Sequence, residues 1–115
     1  MSGRNTGLQF QILSLLGSVY LETGHRDKSY DAFTKALKIK PQDVLTLNKY
    51  AYTLAVNNES LSLANEMALR ALQVSPANAD DEHTLAWIAF QQSDLKTARS
   101  YIEQCMNHGI HDGNG

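Results

Sequence analysis

Apolar residues recur at three- and four-residue spacing in six successive stretches, each bounded by residues that interrupt a helix. Over 8–21, Leu8, Ile12, Leu15, Leu16 and Val19 share one helical face, which is read as the packing face, and Thr23-Gly24 ends the run because glycine accepts a left-handed backbone. A second helix over about 27–39 carries Tyr30, Phe33 and Leu37 with small Ala32 and Ala36 beside them. Pro41 closes it, since proline lacks an amide hydrogen and clashes with the preceding turn. Asp43 can cap a third helix with Leu47, Tyr50, Ala51 and Leu54 on one face, broken by Asn57-Asn58-Glu59-Ser60. A fourth, over about 60–74, presents Leu61, Ala64, Ala68, Ala71 and Leu72 and stops at Ser75-Pro76. Asn78 or Asp80 can cap a fifth, in which Leu85, Ala86, Ala89 and Phe90 keep the spacing, and Gln92-Ser93-Asp94 turns the chain. The sixth, over about 94–107, shows Leu95, Ala98, Tyr101, Ile102, Cys105 and Met106 before Gly109. Residues 1–7 and 110–115 read as disordered ends.

The pattern repeats. Ala71-Leu72 before Pro76 echoes Ala36-Leu37 before Pro41, and these two prolines, the only ones in the chain, stand 35 residues apart. Six helices in three pairs with a 34- or 35-residue period make a helical repeat array. The residues Leu13, Leu16, Gly17 and Tyr20, followed by Phe33, Ala36 and Pro41, resemble the tetratricopeptide pattern. Leu13 stands where that pattern has tryptophan, and Ser29 where it has its first alanine. The second unit matches through Leu47, Tyr50, Ala51, Leu54, Ala64, Ala68, Ala71 and Pro76, with one extra residue in the turn near Asn57-Asn58. The third matches through Leu85, Ala86, Ala89, Ala98, Ile102 and Cys105, without a closing proline. The resemblance implies an all-α, right-handed α-solenoid of three antiparallel helix pairs over 8–109, with repeats at about 10–43, 44–78 and 79–109. Gly17, Ala51 and Ala86, facing Ala64 and Ala98, supply the small side chains that let paired helices cross at 8 to 10 Å.

In tetratricopeptide proteins the first helix of each pair lines a concave groove that binds an extended peptide or a partner helix. Residues of the first helices that escape the packing face are therefore the candidate groove: Ser14, Ser18, Asn48, Lys49, Tyr52, His83, Trp87 and Gln91. Asn48 and Tyr52 are one turn apart, as are His83 and Trp87, so each pair shares a strip of its helix. Tyrosine and tryptophan give large rigid contact area and asparagine can pair with a ligand backbone, so the strips suit a short peptide. A clamp for a C-terminal carboxylate, used by some members of the family, is not expected, because Ser14, Ser18, His83 and Trp87 stand where cations and an asparagine are wanted. The expected role is an adaptor or scaffold. A structural role, self-association through the C-terminal helix of a longer multi-repeat protein, is the alternative.

Composition narrows these readings. With 19% charged residues, a net charge of −2 and scattered basic residues, there is no stripe for a phosphate backbone, so no nucleic-acid partner is expected. No apolar run approaches the roughly 20 residues that span a bilayer, so no membrane insertion is expected. The polar run Ser2 to Gly7 after Met1 lacks a secretory signal, which favours the cytoplasm, or the periplasm or envelope if a signal was removed. No phosphate loop or nucleophile motif is present, so neither an enzyme nor a cofactor is expected. Cys105, His108 and His111 recur at metal-ligand spacing, but Gly109 interrupts their face and a packed thiol followed by a frayed histidine tail accounts for them. Asp80-Asp81-Glu82 reads as first-turn carboxylates opposite the positive end of a helix dipole. Leu95, Tyr101, Ile102 and Met106 on the last pair are expected to leave apolar surface for another copy, a partner or a further domain.

Overall fold

The computed structural model describes residues 6–114, with side chains described to His108, and all regular structure among them is helical. The six helices are α1 (Thr6–Glu22), α2 (Arg26–Ile39), α3 (Val44–Val56), α4 (Leu61–Val74), α5 (Ala79–Gln91) and α6 (Leu95–Asn114). They pack as adjacent pairs, the arrangement of a tetratricopeptide-type α-solenoid. Residues 6 and 7 belong to α1, and the rest of the expected N-terminal segment lies outside the described residues. The sixth helix passes through Gly109, where an end was expected, and continues to Asn114.

Local chemistry explains the punctuation. The turn inside each pair places one residue in the left-handed region, Gly24 at φ 81°, Asn58 at φ 55° and Ser93 at φ 62°, at equivalent repeat positions. The four-residue turn of the second pair holds the extra residue, and there Ser60 also has a positive φ of 42°. Between pairs, side-chain caps start the helices. Asp43 accepts from the amide and the hydroxyl of Thr46 at 3.0 and 2.8 Å, and Asn78 accepts from the amide of Asp81 at 3.2 Å. Asp94 accepts from the amide of Thr97, and its hydrogen bonds to Thr97 hold its carboxyl below the ordinary value.

The chain divides into two compact units, Met1–Thr46 and Leu47–Gly115. In the first, α1 and α2 cross on Phe33, whose ring is fully enclosed over Gly17. A β-carbon on Gly17 would lie 2.5 Å from that ring, so no larger residue fits without displacing it. Ser29 seals the crossing by donating its hydroxyl to the Gly17 carbonyl at 2.7 Å. Buried Phe10 lies under the Lys40 ammonium, 4.7 Å from its ring centre.

One expectation fails in this unit. Ile12, Leu15, Leu16 and Val19, read as the packing face of α1, are all exposed, Leu15 to 66%, and the helix instead buries Phe10 and Gly17. The periodicity is right, but no element of the described residues covers that face.

The second unit has a denser core. Leu47, Ala51, Leu54 and Ala55 of α3 and Ala64, Met67, Ala68 and Ala71 of α4 are buried. On this base sits α5, which buries Thr84, Leu85 and Ile88 and also packs along α6. The small residues at 51, 64, 68 and 86 allow these close approaches.

Candidate functional site

The candidate groove residues fall into both units. In the first unit, Ser14 shares a hydrogen bond with Thr46 at 3.2 Å, and Ser18 is half-buried. In the second unit, α3 carries Asn48, Lys49 and Tyr52, and α5 carries His83, Trp87 and Gln91.

Two of the polar groups expected to meet a ligand are used inside the fold. Asn48 Oδ1 accepts from the Thr84 hydroxyl at 2.7 Å, and Gln91 Nε2 donates to the Ala55 carbonyl at 3.0 Å. These bonds staple α5 to α3 at both ends of their contact. Part-buried polar side chains keep such partners because an unpaired one would cost about 1–3 kcal/mol. Lys49 is exposed.

Tyr52 stacks on His83, with ring centres 5.8 Å apart and planes inclined at 30°. Trp87 makes an edge-to-face contact with Phe90 at 6.0 Å and 86°. The surface of the second unit thus has an exposed Tyr52–His83 stack on α3 and α5, followed one turn along α5 by half-exposed Trp87.

Phe90 was read as a core residue and is 57% exposed. Together with His83, Ala86 and Trp87 of α5 and Ala98 and Ile102 of α6 it lines a cavity of about 220 Å³. The spacing of Phe90 marks its face correctly. No helix among the described residues covers that face.

Near the start of α5 the carboxylates have two different fates. Glu82 is buried and meets His108 Nδ1 at 2.7 Å, so His108 is an anchored residue of α6 and not part of a frayed tail. Asp81 is also buried, yet neither of its oxygens meets a hydrogen-bond partner among the described residues. Burial, reinforced by the Asp80 and Glu82 carboxylates, pushes its carboxyl up to about 6.

Cys105 donates to the Ala79 carbonyl at 3.3 Å. Burial, with the charge of Glu82, raises its thiol above the ordinary value, which disfavours a thiolate. Among the described residues no cluster could hold a metal ion, and His111 of the expected Cys105-His108-His111 set lies outside the described side chains. No described helix is long and apolar enough to cross a membrane.

A family model described as the cytochrome c-type biogenesis protein H TPR domain matches residues 11–111, and the chain belongs to this tetratricopeptide-repeat family. The chain is also similar to the peroxisomal targeting signal receptor of Saccharomyces cerevisiae, at 29% identity over 105 residues. That match takes in 90% of this chain and 17% of the receptor, so the chain spans a small part of the relative's length. In general terms, this chain is a protein-interaction module.

Proposed function

We propose that the module recognises a polypeptide segment, a short peptide or a partner helix, through the surface of α3 and α5 that carries Tyr52, His83 and Trp87. One observation carries the reading: the Tyr52–His83 stack is exposed and already formed within the chain. A rigid aromatic platform offers contact area at little entropic cost, which is how aromatic anchors dominate interfaces. Asn48 and Gln91 act indirectly, by holding α5 against α3 so that Tyr52 and His83 keep their stack. The yeast relative is named as a receptor for a targeting signal, which supports recognition as the activity. A role as adaptor or scaffold follows from such recognition.

The test is selection of binders from a library of random dodecapeptides displayed on phage, followed by affinity measurement on the selected peptides. Tyr52→Ala/His83→Ala, both exposed positions, should keep its helical circular dichroism and lose about tenfold or more in affinity, the equivalent of about 1.4 kcal/mol. Selected peptides that bind parent and variant equally would overturn the assignment of this surface.

A further inference from the structure

We infer that the exposed apolar face of α1 docks into the α5–α6 cavity of a second copy of this chain, a head-to-tail contact whose cavity shares His83 and Trp87 with the recognition surface proposed above. The register of the repeats carries the inference. Aligning Gly17 of α1 with Ala86 of α5 sets Ile12, Leu15, Leu16 and Val19 against Asp81, Thr84, Leu85 and Ile88. Those four α5 positions are all buried, and Thr84 is the residue that bonds Asn48 of α3. On α1 the equivalent positions are all apolar and all exposed. The helix therefore presents the docking face of a first helix with no pair among the described residues beneath it.

The receiving surface shows the converse. Ala55 of α3 and Ala68 of α4, in the second pair, are fully buried. Their equivalents in the third pair are Phe90 and Ile102, exposed to 57% and 49% on the two sides of the cavity. Where alanines admit a helix bearing Thr84, bulky walls around a cavity of about 220 Å³ call for a helix bearing branched aliphatic side chains. Leu15, which takes the place of Thr84, and Leu16 supply them. Charge agrees with shape: over 6–22 the only charged residue of α1 is Glu22, and the cavity is lined by apolar residues apart from His83. Because donor and acceptor faces differ, the contact is heterologous and each docked copy leaves one face of each kind for the next.

Sedimentation equilibrium from micromolar to millimolar concentration tests this. The parent chain should rise from its 12.8 kDa monomer past the dimer as concentration increases. Leu15→Glu and Phe90→Glu, both at exposed positions and checked for helix content by circular dichroism, should each remain monomeric. Mixed in equal amounts, they should form a species of twice the monomer mass and no larger, because only one α1 face and one cavity remain intact. A parent that stays monomeric throughout, a Leu15→Glu variant that associates like the parent, or a mixture that fails to dimerise would each overturn head-to-tail docking. The second result would point to association through α5 and α6 alone.

Discussion

α1 and α5 are the same element of the repeat in opposite circumstances. Four equivalent positions are isoleucine, leucine, leucine and valine on α1, all exposed, and aspartate, threonine, leucine and isoleucine on α5, all buried. Hydrophobicity alone would predict the reverse. The difference teaches that burial in a repeat array belongs to the stacking of one pair on the next, and that a polar residue under the stack is costly unless a neighbour satisfies it. Thr84 is satisfied by Asn48; the Asp81 carboxyl meets no hydrogen-bond partner among the described residues and rises to about 6.

The sharpest way to break this comparison is to truncate the same residue in both settings. Leu85→Ala should lower stability by about 2–5 kcal/mol, since it opens a cavity under the stacked helix. Leu16→Ala, at the equivalent position on α1, should change it by less than about 1 kcal/mol because the side chain already meets solvent. Equal losses in urea denaturation would show that the two faces are covered alike. Next in size is Gly17→Ala, where the new β-carbon meets the enclosed Phe33 ring; a loss of about 1–3 kcal/mol is expected despite alanine's better helix propensity. If this variant melts at or above the parent temperature, the close crossing of α1 and α2 is not a constraint.

The smallest effect concerns Asp81. Its carboxyl is raised from 3.8 to about 6 on folding, so the native state holds a proton between those values that the unfolded chain has released. Stability from this group is therefore greatest below about pH 4 and falls as pH rises to about 6. Asp81→Asn removes that dependence, and its melting temperature should exceed the parent's by a few degrees at pH 7, with the advantage shrinking by pH 4. An advantage independent of pH would mean that Asp81 is not the titrating group.

Much of the fold was legible because its signals are local. The turn residues Gly24, Asn58 and Ser93, the caps Asp43 and Asn78, and the two prolines each act within a few residues of themselves. The small residues at 17, 51, 64 and 86 were legible because helical crossing demands them wherever the period places them. The candidate site was legible as a set of positions but not as a set of partners. Asn48 and Gln91 are committed to Thr84 and the Ala55 carbonyl, each 36 residues away, and Tyr52 stacks on His83. His108 finds Glu82 across 26 residues, which no spacing rule along one helix could show.

By itself the sequence determined six helices, their turns, their repeat and the face on which each gathers its apolar residues, because backbone propensity and a 3.6-residue period act along the chain. Only the tertiary structure decided which of those faces are covered. The covering helix is contributed by another part of the array, and so α1 can show leucines to solvent while α5 buries an aspartate.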